Sequence, residues 1–190
     1  MEWQWLGVDH ITYAVRDIES WRAVYIDCFG FREIHHTSDA SPEGTSSMEL
    51  YGLESVNSRI ALVRPINRSS VSHVEHFLCK HGDHSVQHVA YAVRNLEAFV
   101  SEMRVKGFHF LGDIKYRADA FGKVKQIFSK RFDPGLTPAD GVFYEFVERP
   151  VQTEIGLADF FSGMVAKGLY EDVERDAADD DGKPFKVFML

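Results

Sequence analysis

The chain repeats part of itself with a shift of 78 residues. Residues 8–19 read VDHITYAVRDIE and residues 86–97 read VQHVAYAVRNLE, so seven of twelve positions are identical. Further along, the Phe-Gly-Phe of residues 29–31 matches the Lys-Gly-Phe of residues 106–108, with the shift shortened by one residue. A repeat of this kind indicates two copies of one structural unit that pack against each other.

Each copy predicts the same order of elements. An apolar stretch rich in Val, Ile, Tyr and Ala predicts a buried strand, and a helix follows it. We predict Asp17 and Asn95 as the N-caps of helices over Ile18–Cys28 and Leu96–Lys106. Strands are then predicted over Phe31–Thr37, Ser46–Gly52, Ser58–Arg64, Phe108–Ile114, Lys123–Lys130 and Gly141–Glu148.

These elements predict an α+β fold in which two paired β-α-β-β-β modules form a curved mixed sheet around a metal cavity. One domain of residues 1–190 would contain module one (7–66), a connecting helix (70–81) and module two (86–149). After Pro150 we predict an amphipathic helix over Leu157–Val173 and an acidic, solvated segment over Glu174–Gly182.

Charge and composition limit the partners. The net charge of -8 would repel phosphate backbones, so we expect no nucleic acid partner. The apolar runs are short and the N-terminus lacks the features of a signal peptide, so we expect a cytoplasmic protein without a membrane partner. Cys28 and Cys79 cannot form a disulfide framework, and we expect both as buried free thiols. The sequence does not decide between a homodimer and a monomer, because two fused modules can complete one cavity within a single chain.

Two of the nine histidines stand out. His10 and His88 occupy equivalent places in the repeat, each within an otherwise apolar strand. One such histidine is commonly a satisfied core residue, but two at symmetry-related positions near an axis would face each other, so we predict metal ligands. Strand alternation puts Val8 on the face of His10 and Val86 on the face of His88. We expect structural, solvated roles for the remaining seven, which are His35, His36, His73, His76, His81, His84 and His109.

The third predicted ligand is Glu145, which lies among five apolar residues in the stretch VFYEFV. A charged carboxylate in that setting needs a partner, which could also be an arginine, or it could face solvent at a sheet edge. Matching Arg64-Pro65 with Arg149-Pro150 puts Ile60 opposite Glu145, so module one would lack a fourth ligand.

Two imidazoles and one carboxylate with open positions form the facial arrangement of non-haem Fe(II) oxygenases. Zinc favours a closed or nearly closed tetrahedron. The spacing of the ligands does not by itself select the metal.

The doubled plan with VDHI at residues 8–11 and VQHV at residues 86–89 resembles the vicinal oxygen chelate superfamily, which includes glyoxalase I, extradiol dioxygenases and 4-hydroxyphenylpyruvate dioxygenase. Residues 82–92, 122–130 and 142–149 are most similar to the catalytic domain of the last of these. The resemblance implies Fe(II) held by His10, His88 and Glu145. It also implies a chelated 2-oxo acid substrate that Gln126 contacts and against whose ring Phe128 packs.

Together, the residues and the resemblance predict a mononuclear Fe(II) dioxygenase that acts on a small 2-oxo acid or aromatic substrate. Val63 departs from the family pattern, which usually has Asn there. Extradiol cleavage of a catechol is the first alternative, but it normally needs a further His or Tyr in the pocket, and we predict no inward histidine beyond the two ligands. A glyoxalase or isomerase would need four ligands. A metal-free binding protein of the same fold would usually lack the three ligands.

Overall fold

The computed structural model describes residues 2–38, 48–56, 58–66, 72–119, 122–130 and 143–150. The helix predicted over 157–173 and the acidic segment at 174–182 lie outside these residues. The strands are β1 (Gln4–Ala14), β2 (Arg32–Ser38), β3 (Met48–Ser55), β4 (Ser58–Pro65), β5 (Ser85–Arg94), β6 (Phe110–Asp119), β7 (Gly122–Ser129) and β8 (Phe143–Glu148). The helices are α1 (Ile18–Ala23), continued by a π-helical turn (Val24–Cys28), α2 (His73–His81) and α3 (Leu96–Val105).

The eight strands form one mixed, mostly antiparallel sheet in the order β2-β3-β4-β1-β5-β8-β7-β6. β1 and β5 pair antiparallel at the centre, and each has a parallel neighbour from its own module, β4 beside β1 and β8 beside β5. The predicted α+β class and the doubled β-α-β-β-β plan are therefore confirmed. No helix in the described ranges is long and apolar enough to cross a membrane.

The two repeat helices begin differently. Asp17 caps α1 as predicted, because its carboxylate accepts a hydrogen bond from the backbone N–H of Ser20 at 3.1 Å. Asn95 adopts a left-handed backbone with φ of +59° and makes no capping hydrogen bond with its side chain. Asn95 is thus the N-cap residue as predicted, but the Glu148 carboxylate, rather than the Asn95 side chain, accepts from the backbone N–H of Leu96 at 2.8 Å.

Three register shifts interrupt the central pairing, one of them between Trp5 and Gly7 and the other two at β-bulges beside the histidines. Asp9 is the extra residue where the register passes from Val8 to His10, and Gln87 is the extra residue on β5. These positions are equivalent in the repeat, so the bulges are related by its symmetry. Because paired residues share a face, Val8 opposite Tyr91 and Val86 opposite Tyr13 do not lie on the histidine face, contrary to the alternation we predicted.

The helices cover both faces of the sheet. On one face, α1 packs over Val15, Leu53, Ile60 and Leu62, and α3 packs over Val93, Ile127 and Phe146. On the other face, α2 contributes Val74, Phe77 and Leu78, which pack with Ala14, Ala61 and Val63. Thr12 pairs with Ala61 and also with His88, so α2 covers the module-one part of the face that bears the histidines.

The counterpart of Glu145 in module one is Ala61, and the prediction of Ile60 was wrong. Thr12 pairs with Ala61 and Ala90 pairs with Glu145, and the repeat maps Thr12 onto Ala90. Ile60 corresponds to Tyr144 and faces α1. The Arg-Pro match misplaced the register by one residue, which moves a side chain to the opposite face. Alanine offers no ligand, so the prediction that module one lacks a fourth ligand at this place stands.

Several side chains are buried or exposed contrary to expectation. Cys28 and Cys79 are both exposed, because each lies on the outer side of its helix. His73 is only 8% exposed at the first turn of α2. His84 stacks on Trp21 and Tyr13 with ring centroids 3.7 and 4.5 Å away. The solvated role predicted for these two histidines was wrong.

Candidate metal centre

The three predicted ligands meet at the centre of the sheet. His10 lies on β1, His88 on β5 and Glu145 on β8, which are consecutive neighbours in the strand order. One ligand atom from each lies within 4.8 Å of the others, and all three residues are buried. Glu145 Oε2 is 3.3 Å from His10 Nε2 and 3.5 Å from His88 Nε2. Three side chains that are far apart in sequence therefore form one cluster.

The residue before each histidine orients its ring. His10 Nδ1 is 2.9 Å from Asp9 Oδ1, and His88 Nδ1 is 3.3 Å from Gln87 Oε1. Carboxylate and amide oxygens only accept hydrogen bonds, so Nδ1 donates in both contacts, and Nε2 is the atom directed at Glu145. Neither residue was predicted from the sequence to orient a ligand, although each directly precedes a histidine at the same place in the repeat.

Arg149 makes a bidentate contact with the carboxylate of Asp9. Its Nε and Nη2 donate to Asp9 Oδ2 and Oδ1 at 2.7 and 2.9 Å, and Arg59 Nη1 lies 3.8 Å from Oδ2. Burial alone would raise the pKa of Asp9, but the positive charge and hydrogen bonds of Arg149, with those of His10, lower it well below its usual range. Asp9 is therefore a buried carboxylate that stays ionised.

The ligand side chains are held by neutral partners too. Gln126 Nε2 donates to Glu145 Oε1 at 2.6 Å, which leaves Oε2 as the atom that faces both histidines. The hydroxyl of Thr12 lies 2.9 Å from His88 Nε2. The prediction for Gln126 as a substrate contact stays a prediction, and the structure adds this contact with a ligand carboxylate.

Burial and charge act in opposite senses on the three ligands. Burial would raise the pKa of Glu145, but the charge of His10 and hydrogen bonds from both histidines lower it to about 2. Burial would lower the pKa of His10, but the charges and hydrogen bonds of Glu145 and Asp9 raise it. For His88 burial prevails over the attraction of Glu145, and its pKa is lowered. The centre thus presents an ionised carboxylate between one basic and one weakly basic imidazole.

Aromatic side chains form an apolar wall beside His88. The ring of Phe143 stacks on His88 with centroids 4.9 Å apart, and Phe128 lies 5.5 Å from the same imidazole. Phe128, Phe143 and Leu111 form one buried cluster. Phe128 was a predicted pocket residue, whereas Phe143 was missed because it precedes Glu145 by two residues in a run of apolar positions.

A further buried histidine, His73, lies on the helix that packs on the histidine-bearing face. The pKa of His88 is lowered first by burial and also, more weakly, by the charges of His10 and His73. His73 is buried at the start of α2, which packs on the histidine-bearing face. No buried histidine was predicted from the sequence at the start of this helix, where solvated roles were expected.

The residues fit a divalent metal ion. Two imidazole nitrogens and one carboxylate oxygen converge, and each imidazole has a fixed acceptor at Nδ1, as metal-ligating histidines usually do. Three protein ligands of this type suit non-haem Fe(II), and a fourth side-chain ligand is absent from the equivalent place in module one, which is Ala61. The centre can hold a metal while leaving coordination positions for small molecules.

Comparison with known proteins agrees with this fold. Residues 9–125 match the family model described as the Glyoxalase/Bleomycin resistance protein/Dioxygenase superfamily. The chain belongs to this superfamily. No curated protein sequence matches it.

Among solved structures, a variant of 4-hydroxymandelate synthase from Streptomyces coelicolor is similar with a TM-score of 0.74 at 20% identity. The match covers 89% of this chain and 54% of that one, so the chain spans about half the length of that enzyme. Methylmalonyl-CoA epimerase from Mycobacterium tuberculosis gives a TM-score of 0.53 at 26% identity over 75% of this chain and 87% of that one. A hypothetical protein from Bacillus halodurans gives a TM-score of 0.55 at 25% identity, and the match covers 82% of this chain and 100% of that one. The superfamily therefore includes more than one type of enzyme.

Proposed function

We propose that the protein is a mononuclear non-haem Fe(II) dioxygenase acting on a small 2-oxo acid or aromatic substrate. The observation that carries the proposal is the buried cluster of His10, His88 and Glu145, with ligand atoms within 4.8 Å of one another. The similarity in fold to 4-hydroxymandelate synthase supports it. Fe(II) in this centre would supply dioxygen activation and the chelation of adjacent substrate oxygens.

The chain's own residues hold and shape the centre. Glu145 directs Oε2 at the two imidazoles because Gln126 engages its other oxygen, and Asp9 and Gln87 direct the imidazole Nε2 atoms. Phe128 and Phe143 exclude water on the side of His88 and offer ring faces to an aromatic or other planar substrate. Gln126 would contact a polar substrate group from the same wall.

The decisive experiment is anaerobic reconstitution with Fe(II), followed by parallel measurement of dioxygen uptake and carbon dioxide release on a panel of 2-oxo acids and catechols. The proposal predicts uptake with equimolar carbon dioxide release from a 2-oxo acid. His88→Ala should abolish both, while His76→Ala, which changes an exposed histidine on α2, should leave both intact. Metal-loaded protein that consumes no dioxygen on any panel member contradicts the proposal, and the methylmalonyl-CoA epimerases show that the fold also serves other chemistry.

Extradiol cleavage of a catechol is the second candidate, and His73 favours it. This chemistry uses the same three ligands and needs a further acid-base group near the metal, and His73 is a buried histidine at the start of α2, which packs on the histidine-bearing face. Dioxygen uptake with a catechol and no carbon dioxide release would establish it. Tight binding of small molecules by the metal-free protein, with no turnover on the panel, would instead establish a binding protein. The cytoplasmic location and the oligomeric state stay predictions.

A further inference from the structure

We propose that Asp9, held by Arg149, is a positioning residue for His10. In this proposal, the pair orients the imidazole and makes His10 a stronger metal ligand than His88. The inference deepens the proposed function, since it concerns the same metal centre, and it assigns a role to two residues that bind no metal. Both lie outside the set of ligands and substrate contacts.

The contacts form a continuous chain from Arg149 to the metal ligand. Both Asp9 oxygens are engaged by Arg149, and Oδ1 also accepts from His10 Nδ1 at 2.9 Å. The Asp9 side chain is only 3% exposed. A fork-shaped guanidinium contact fixes the carboxylate plane, so the carboxylate can fix the plane of the imidazole. Asp9 lies at the β-bulge, and the bulge brings its side chain beside the ring of the next residue.

The equivalent place in module two carries no charge. Gln87 occupies the second bulge and accepts from His88 Nδ1 through a longer contact of 3.3 Å. Within the described ranges, no hydrogen-bond partner meets its buried Nε2 atom. An anionic acceptor at Nδ1 raises the basicity of an imidazole ligand more than a neutral amide does. The repeat thus supplies an internal comparison in which only His10 has a charged, clamped support.

Arg149 also links the two modules at the centre. It directly follows β8, which carries Glu145, and its partner Asp9 lies on β1 beside His10. The ligand carboxylate and the ligand imidazole are therefore connected by a second, charged contact outside the metal shell. A shift of β8 relative to β1 would therefore change the positions of both Glu145 and His10.

The test is titration of the metal-free full chain with Co(II), followed by its visible d–d absorption. Asp9→Ala should lower the Co(II) affinity by about 10–100-fold, the usual effect of removing such a support. Asp9→Asn keeps an acceptor oxygen and loses the charge, so it should give a smaller loss and a shifted spectrum. Arg149→Gln should resemble Asp9→Asn. Gln87→Ala should lower the Co(II) affinity less than Asp9→Ala does. Arg59→Gln is the control, because Arg59 Nη1 lies 3.8 Å from Asp9 Oδ2, and this variant should bind Co(II) with the wild-type affinity.

A second readout does not depend on metal. In the metal-free protein, the His10 Nδ1 proton bound to a carboxylate should resonate far downfield in the proton NMR spectrum, and it should move upfield in folded Asp9→Asn. Wild-type Co(II) affinity and spectrum in folded Asp9→Ala would overturn the proposal, as would an unmoved Nδ1 proton. If the wild type fails to bind Co(II), the proposed function fails, and the NMR comparison still decides the role of Asp9.

Discussion

Glu145 shows how a single charged residue is tolerated in an apolar strand. Its carboxylate is buried among aromatic side chains, but one oxygen accepts from Gln126 and the other faces two imidazoles. The cost of desolvation is offset by these contacts, so the residue stays ionised. A carboxylate kept ionised in a dry cavity is ready to bind a cation.

We predict that Gln126→Ala weakens both metal binding and turnover. The variant removes the donor to Glu145 Oε1, so metal affinity should fall about tenfold, while excess metal still fills the site. If Gln126 also contacts substrate, kcat/KM at saturating metal should fall about tenfold or more, since a hydrogen bond to a charged or polar group contributes roughly 1.5–3 kcal/mol.

Isothermal titration and steady-state kinetics measure the two effects separately. Lys125→Ala is the matched control, because Lys125 is on the same strand and pairs with Glu97 and Glu148 away from the centre. Wild-type values for Gln126→Ala in both measurements would remove Gln126 from the site.

Among the elements, the repeat predicted the order of strands and helices and singled out the two histidines, whereas Glu145 was recognised as one acid in an otherwise apolar strand. The repeat was not sufficient for the bulges, because one inserted residue leaves no mark in an apolar pattern. Asp9 and Gln87 were therefore missed as ring-orienting residues. Ile60 was placed on the wrong face for another reason, because the Arg-Pro match set the register one residue out. Whether a residue near the end of a helix is buried depends on which side of the helix packs on the sheet, so the burial of His73 and the exposure of Cys79 were also missed.

The corrected register predicts the effect of Ile60→Glu. Ile60 packs with Val15 and Ile18 beneath α1, so a carboxylate there would be buried without a partner. We expect a loss of several kcal/mol in the free energy of unfolding and no additional metal ligand. Ile60→Val, the control, should cost about 0.5–1.5 kcal/mol. Urea unfolding measures both, and a new ligand signal in Co(II)-loaded Ile60→Glu would show that the register is wrong.

The connection between α2 and β5 predicts a pH dependence of stability. His84 stacks on Trp21 and accepts or donates a hydrogen bond with the Tyr25 hydroxyl at 3.0 Å. Burial lowers the pKa of His84 below the usual 6.5 of a histidine, against the weaker opposing effect of Asp83. As pH falls through 6.5, the unfolded chain binds a proton before the folded protein does, so this contribution to stability is lost on acidification.

The comparison of wild type with His84→Asn isolates this effect, because asparagine tolerates the left-handed backbone of φ +57° at this residue. The difference between their free energies of unfolding should shrink from pH 8 to pH values below 6.5. Urea titrations at a series of pH values measure it. A difference that stays constant over this range would contradict the prediction.

In the molecule as a whole, the metal centre joins the two modules. One ligand comes from module one and two from module two, and the strands that carry them lie side by side. The surrounding framework is shared as well, since Trp5 of β1 packs edge-on against Tyr91 and Phe99 of module two. A bound metal should therefore stabilise the molecule as one unit.

We predict that a divalent metal at about 100 times its Kd raises the unfolding free energy by roughly 2.7 kcal/mol, which corresponds to a Tm increase of about 5–10 °C for a chain of this size. Scanning calorimetry with and without a chelator measures the shift. His76→Ala should keep the shift and His88→Ala should lose it. An equal shift in His88→Ala would locate the metal elsewhere.

The distribution of the ligands over both modules also sets an order of events during folding. His10 and His88 are separated by 78 residues of sequence, so their Nε2 atoms converge only after β1 has paired with β5. Loop closure over such a distance is a slow, late step compared with the formation of local helices and hairpins. Refolding chains should therefore bind metal only after β1 has paired with β5. The rate of metal binding during refolding would then report the rate at which the two modules associate.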